Sequence, residues 1–259
     1  MGGERNRSRQ KADAVDRAPD PVIIRWMQNE PERAWAAGLE GVFLDFYGTV
    51  AGGDRAAVER ICQSVVEDHA IPMSAHELAV AWGTHYFAAI ETCDDRPFQT
   101  LVEIERDTLT RTLDPLVGPV AVDGYIEQLS AYLAAPILFP EVRSAIEGCR
   151  LPICIVSNAD DRELLTAVGT FGLRFDHIVT SESARSYKPS ERIFRFALER
   201  TGWSPERVVH IGDSLHSDVG GAKKLGLRTV WLHRPERMSD IGEEVPDATF
   251  GDLAFLSKM

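Results

Sequence analysis

Long apolar runs are missing from this chain. Nothing approaches the roughly 18–20 consecutive apolar residues of a spanning helix, and the polar N-terminus has no leader-like apolar core. No membrane association is expected. Cysteine is scarce as well: Cys62, Cys93, Cys149 and Cys154 are too few for a disulfide framework and lack ligand-like spacing. A reduced, cytoplasmic chain is the expectation. Positive charge is in deficit, with 28 Lys and Arg against 40 Asp and Glu and a formal charge of −12. Such a field repels nucleic acid and anionic membrane. It also works against a phosphorylated ligand, so a phosphate site here needs strong local positive features. The 7 histidines show no metal spacing, and there is no internal repeat.

What is there suffices for a real core. The 259 residues are 44% hydrophobic, enough for one large domain or a core with a smaller satellite. Residues 1–20 interleave Arg5, Arg7, Arg9 and Lys11 with Glu4, Asp13 and Asp16 and read as a solvated, disordered tail. Ile23, Ile24, Trp26, Met27 and Trp35 predict a short helix within 21–37 that docks on the body or on a second copy in a homodimer. Beyond it, Val42–Leu44, Ile153–Val156, Ile178–Val179, Val208–Ile211 and Thr229–Leu232 are short continuous apolar runs, as expected of strands covered on both faces of a parallel sheet. Helical patterns lie between them at about Asp160–Thr170, Ser190–Thr201 and Ser217–Leu225, with Asp160 as the cap of the first and Pro189 near the start of the second. Alternation of this kind predicts a doubly wound α/β fold.

The stretch after the first strand breaks that rhythm. From Asp54 to Ala135 there is no good strand signal, but there are three helix-period stripes. These are Val58, Ile61, Cys62, Val65 and Val66; then Leu78, Val80, Ala81, Trp82, Tyr86, Phe87 and Ile90; then Leu101, Ile104, Leu109 and Leu113. The expected organisation is an α/β core from 21–53 and 136–259 with a helical insertion at 54–135.

Four features fall at the C-terminal ends of predicted strands, the edge where open α/β sheets bind ligands. Asp45 ends the first strand and is followed by Tyr47, Gly48 and Thr49. Ser157 and Asn158 end the second, which alone is ordinary turn chemistry. Lys188 precedes a proline-started helix, from which a fixed cation reaches the sheet edge. Asp213 and Asp218 straddle a glycine turn and the start of a helix, a pairing that is costly without a cation to neutralise it.

Their order and spacing, from about residue 40 to 255, resemble the haloacid dehalogenase-like hydrolase superfamily, and the inserted helices resemble the helical cap of its subfamily I. The resemblance implies that Asp45 is the nucleophile, transiently esterified. It implies that Asp45, the backbone carbonyl of Tyr47 and Asp213 are Mg²⁺ ligands with Asp218 in support. Ser157, Asn158 and Lys188, with Thr49 beside them, would bind the transferred group. The physical logic runs the same way: a carboxylate attacking an anionic phosphoryl group is repelled by it, and a hard divalent cation with a lysine removes that repulsion.

Three positions discriminate within the superfamily. Most of its phosphatases carry a second aspartate where Tyr47 stands, and a phenol is a poor base at neutral pH. Asp45-x-Tyr47-Gly48-Thr49 instead resembles the 2-haloacid dehalogenases. Asp213 has the phosphatase form, where dehalogenases use a hydroxyl and an amide without metal. Dehalogenases also place an arginine after a cap tryptophan; here Trp82 precedes Gly83, and Arg96 sits beside its own acids. Two positions favour a Mg²⁺-dependent hydrolase of a small phosphorylated substrate and one favours displacement of halide. A third reading, a weakly catalytic metal-binding interaction protein, rests on Tyr47 alone. Asp54 is expected as the N-cap of the first inserted helix, and His216 as a turn residue near the site.

Overall fold

Apolar strands that bury both faces need helices on both sides, and the chain meets this demand with one parallel sheet. The computed structural model describes residues 36–234 and 242–259. The 1–20 tail, and the 21–37 helix with its docking or dimer role, lie outside the described residues apart from Ala36 and Ala37. The sheet strands are β1 (Gly41–Leu44), β4 (Ile153–Ser157), β5 (His177–Thr180), β6 (Val208–Gly212), β7 (Arg228–Leu232) and β8 (Ala248–Phe250). They stand in the order β5-β4-β1-β6-β7-β8, every neighbour parallel. The chain builds outward from β1 on one side through β4 and β5, then crosses to build outward through β6, β7 and β8. The crossing point lies at the central strand, so the ends of β1, β4 and β6 border the crevice. All residues of these three strands are buried.

The doubly wound expectation holds, with five strands where the apolar runs placed them. The sixth, β8, left no such run because it is an edge strand, half-buried throughout. Gly41 is needed in β1, since a Cβ there would come within 2.4 Å of the Trp203 ring.

A two-stranded antiparallel ladder, β2 (Ala51–Gly52) with β3 (Ile137–Leu138), pairs Ala51 with Leu138 and Gly52 with Ile137. Between its strands run four helices: α1 (Asp54–Asp68), α2 (Ala75–Glu91), α3 (Leu101–Val117) and α4 (Asp123–Ala134). Capping boxes start α2 at Ser74 with Glu77 and α3 at Thr100 with Glu103. Their apolar faces meet in one cluster that includes Ile61, Val65, Leu78, Trp82, Leu109 and Ile126. Val80 and Phe87 do not join it and are 46% and 58% exposed. They lie two and nine residues past Leu78, about 200° and 180° around the helix, so burying the Leu78–Trp82 face turns them outward.

Residues 38–259 form one compact unit. After β3 come α5 (Val142–Gly148), α6 (Asp161–Phe171), α7 (Ser181–Ala184), α8 (Glu191–Thr201) and α9 (Gly221–Lys223). Three sequence expectations need correction. Asp160 precedes α6 but makes no cap bond to it; its carboxylate accepts from Leu101 N at 2.7 Å and Val102 N at 2.9 Å, at the start of α3. Asp54 is the first residue of α1, whose N-cap is Gly53, and it accepts instead from the Tyr132 hydroxyl at 2.7 Å. The helix expected over Ser217–Leu225 is a π-helical turn, Leu215–Gly220, running into α9. There Val219 N reaches back five residues to Ser214 O at 3.1 Å, the bond that defines such a turn. The small residues that follow do permit close packing: a Cβ on Gly221 would lie 2.7 Å from the Phe194 ring. No helix among the described residues is long and apolar enough to cross a membrane.

Candidate active site

Strand β1 stops at Leu44, and Asp45 N donates to Ile211 O of β6 at 2.9 Å, so the nucleophile candidate stands over the crevice. Its carboxylate is buried, and both of its hydrogen bonds converge on Oδ1. Ser157 Oγ donates at 3.1 Å from the end of β4, and Lys188 Nζ at 2.6 Å. Lys188 Nζ also donates to Asp218 Oδ1 at 2.6 Å. Asp218 further accepts from Ser214 N at 3.0 Å and from His210 Nε2 at 2.8 Å. Asp45, Asp213 and Asp218, all buried, present carboxylate oxygens within 4.8 Å of one another.

Glycines make room for this. A Cβ on Gly212 would lie 2.1 Å from the Asp218 carboxyl carbon, and Gly48, at φ +90°, lets the Asp213 carboxylate approach to where a Cβ would be 2.6 Å away. Each carboxylate occupies volume that any other residue would fill.

The two aspartates that share Lys188 titrate in opposite directions. Burial is the largest influence on Asp45 and raises it, more than Lys188 can offset. Burial also works to raise Asp218, but Lys188 and His210 together hold it well below the usual carboxylate range. The asymmetry follows from the partners: Asp218 has the lysine, the imidazole and a backbone amide, and Asp45 has the lysine and one hydroxyl. Burial opposes the charge on Lys188, but its two carboxylate neighbours outweigh it and the ammonium is held above its ordinary value. Burial lowers His210, which as a neutral imidazole donates through Nε2.

The remaining residues singled out from sequence fall around this cluster. The Asn158 side chain clamps Lys188, its Oδ1 accepting from Lys188 N at 2.7 Å and its Nδ2 donating to Lys188 O at 3.0 Å. Thr49 is fully buried and its hydroxyl has no hydrogen-bond partner among the described residues; its carbonyl accepts from Arg234 at 2.9 Å. Tyr47 turns away from Asp45, its hydroxyl donating to Leu133 O of α4 at 2.7 Å. Burial, helped by the charges of Glu163, Asp54, Asp45 and Asp160, pushes that phenol well above its ordinary value, so it is no base. His216 pairs with Glu91 at the end of α2 at 2.7 Å, and Arg96 is exposed.

Two contributors were not anticipated. His210 carries a signal that could have been used: an imidazole inside Val208-Val209-His210-Ile211 needs a partner when buried, and Asp218 is that partner. Arg234 carried none. It is buried over the Phe139 ring at 3.7 Å and joined to Glu141 at 2.6 Å, linking the end of β7 to the loop after β1.

A family model described as haloacid dehalogenase-like hydrolase matches residues 39–226. The chain belongs to this family of hydrolases. Haloacid dehalogenase-like hydrolase domain-containing protein 3 of Bos taurus is 34% identical over 143 residues, 52% of this chain and 55% of that protein. This chain thus spans about half the length of that relative. Haloacetate dehalogenase H-2 of Moraxella sp. (strain B) is 31% identical, over 82% of this chain and 93% of that protein. Phosphoserine phosphatase of Thermus thermophilus is 34% identical, over 45% of this chain and 48% of that protein. A dehalogenase crystal structure superposes with a TM-score of 0.69 at 22% identity, covering 86% of this chain and 97% of the other, a likeness of fold.

Proposed function

We propose that this hydrolase is a Mg²⁺-dependent phosphatase acting on a small phosphate monoester through a phosphorylated Asp45. The observation that carries the reading is the meeting of Asp213 with Asp45 and Asp218 in one buried cluster. Lys188 stands between two of the three carboxylates, and a divalent cation beside them would offset the mutual repulsion of three carboxylates gathered this closely. Hard oxygen donors suit Mg²⁺. Asp45, Asp213 and the Tyr47 backbone carbonyl would hold it, with Asp218 supporting, and it would supply charge neutralisation to the phosphoryl oxygens.

The chain's own groups supply the rest. Lys188 and Ser157 fix Asp45 through Oδ1 and leave Oδ2 outside that hydrogen-bond pattern, so Oδ2 is the attacking atom. The P–O bond to the leaving alcohol breaks as the Oδ2–P bond forms, and water then splits the acyl phosphate to return the carboxylate. Asn158 acts through Lys188 by holding its backbone, and Thr49 brings a hydroxyl without a partner among the described residues to the loop beside the nucleophile. Helices α1–α4 serve as a cap that excludes bulk water, tied down by Tyr47 to Leu133, Asp160 to α3, and Tyr187 to Gln99 O at 3.0 Å.

Halide displacement by Asp45 is the second reading, favoured by Tyr47 and by the length of the match to the Moraxella dehalogenase. The decisive test is a paired assay of phosphate and halide release with and without Mg²⁺. Phosphate release abolished by chelation supports the phosphatase; halide release that survives exhaustive chelation overturns it. Asp213→Asn removes one carboxylate charge from the cluster and should raise the Mg²⁺ concentration for half-maximal activity about tenfold or more.

Because Tyr47 is committed to Leu133 and is no base, the leaving oxygen departs without an acid two residues beyond the nucleophile. Aryl and acyl phosphates should therefore turn over well and alkyl phosphates poorly. Tyr47→Asp restores an acid and should speed alkyl ester hydrolysis relative to aryl, general acid help being worth about 10²–10⁴-fold. Equal leaving-group slopes in the two proteins would show that another group already supplies the proton.

A further inference from the structure

Lys188 is held from two sides. On the core side the Asn158 amide brackets the backbone of Lys188 itself. On the other side runs the segment 92–100, which joins α2 to α3, and in it Asp94 brackets the residues two before and two after the lysine. Ser186 Oγ donates to Asp94 Oδ1 at 3.1 Å, and Ser190 Oγ donates to Asp94 Oδ2. One carboxylate thus bridges the two ends of Ser186-Tyr187-Lys188-Pro189-Ser190. The neighbours repeat the pattern. The Tyr187 hydroxyl donates to Gln99 O at 3.0 Å, its ring stacks on Phe98 with centroids 5.6 Å apart, and the Arg185 guanidinium lies 4.7 Å over Phe98.

The ordinary account of Asp94 would be a surface acid beside an arginine. Arg192 is nearby, but its guanidinium is 3.8 Å away and 62% exposed, and such a pair contributes little. Ser186, by contrast, is 1% exposed, and a buried hydroxyl without an acceptor is costly. Asp94 supplies that acceptor. Ser190 caps α8 by accepting from Arg192 N at 3.3 Å, which leaves its hydroxyl proton for Asp94. The bridge is therefore built on the Lys188 segment and not on a loose charge contact. What it governs is the ammonium. Lys188 Nζ stands 2.6 Å from Asp45 and from Asp218, at the end of a flexible four-carbon stem. A small turn of the backbone becomes a larger displacement at Nζ. Asn158 fixes one residue, whereas Asp94 fixes the two ends of the segment and so opposes its rotation about that residue.

We propose that Asp94 is a positioning residue for Lys188, through which the helical insertion sets where the ammonium stands beside Asp45. The assignment rests on Asp45 as the attacking group with Lys188 next to it, whichever leaving group departs. Because Lys188 is aimed at the reacting carboxylate, losing Asp94 should cost turnover more than substrate binding.

The test uses the full chain and whichever of phosphate and halide release the paired assay yields. Asp94→Ala removes the acceptor of both serines and should lower kcat about tenfold or more, with KM moving by no more than about threefold. Asp94→Asn discards the charge but keeps an oxygen for one serine and an N–H for the other, and should retain at least about a third of wild-type kcat. Equal losses in the two variants would assign the effect to charge, and a parallel rise in KM would assign it to closure of the insertion. Either result overturns the positioning role, as does wild-type turnover in Asp94→Ala. Hydrogen exchange supplies a readout apart from activity. A peptide covering residues 186–191 should exchange faster in Asp94→Ala than in the wild type or Asp94→Asn, while a peptide over β4 is unchanged. Unchanged exchange across 186–191, or equal loosening of β4, overturns the bridge whatever the rates. A wild type that releases neither product fails the reading of Asp45, and the exchange comparison then still decides whether Asp94 holds the segment that carries the lysine.

Discussion

Asp45→Asn is expected to reduce turnover by three or more orders of magnitude while leaving the melting temperature near that of the wild type. The amide has the shape of the carboxylate but cannot form the covalent ester, and loss of a covalent nucleophile removes a step that nothing else in the site replaces. Stability should hold because an amide oxygen can still accept from Ser157 and Lys188. The removed charge is one that burial already disfavours. Single-turnover measurement of phosphate release is the check. Retention of more than about a tenth of wild-type activity would falsify covalent catalysis at this residue.

Lys188→Met should affect both stability and rate. The side chain is 2% exposed and stands between Asp45 and Asp218, so methionine fills the space and strands two buried carboxylates. Removing one member of a buried ion pair costs about 3–5 kcal/mol, on the order of 10 °C in melting temperature for a unit of this size. The deficit has a predictable pH dependence. In the native cluster Asp45 is raised, so its contribution is greatest in acid and falls as pH rises through its folded value. Asp218 is lowered, so its contribution is present above the ordinary aspartate value and lost as pH falls through its folded one. Without the ammonium less offsets the burial of the two carboxylates, and the variant's deficit should be larger at pH 8 than at pH 5. Denaturant melts of both proteins at the two pH values measure it; equal deficits would mean that the lysine does not hold this pair. Activity should fall about 10²–10³-fold, the usual loss for a fixed charge aimed at the reacting group.

The strands were legible because a doubly buried parallel strand admits little but apolar residues, and Val42–Leu44 and Ile153–Val156 obey that without exception. That these polar residues meet in one buried cluster was legible for a related reason. Asp45, Ser157 and Asp213 are polar residues at the ends of apolar runs, and a parallel sheet brings those ends to one edge, while Lys188 past α7 and Asp218 in the turn after β6 reach back to it. What could not be read was where side chains turn after leaving the edge. Asp160 looks like a local cap by spacing alone, yet it reaches a helix start 59 residues earlier in the chain. Tyr47 sits in the nucleophile loop, but its hydroxyl belongs to α4. The π-helical turn was illegible because the periodicity of apolar residues does not separate a five-residue hydrogen bond from a four-residue one over so short a stretch. Val80 and Phe87 were misread by counting apolar residues along α2 without asking which face each one occupies.

The short ladder between β2 and β3 has a consequence for how such a molecule changes over evolutionary time. Because Ala51 meets Leu138 and Gly52 meets Ile137, the chain departs from the sheet and rejoins it at adjacent points. Whatever lies between them presents the same pair of anchored ends. Closing a loop costs only slowly more as it lengthens, so the intervening helices can be lengthened, shortened or exchanged with little penalty to the strands that carry Asp45, Ser157 and Asp213. Selection can thus act on two nearly independent parts, one conserving a chemical step and the other free to drift toward new molecules on which to perform it.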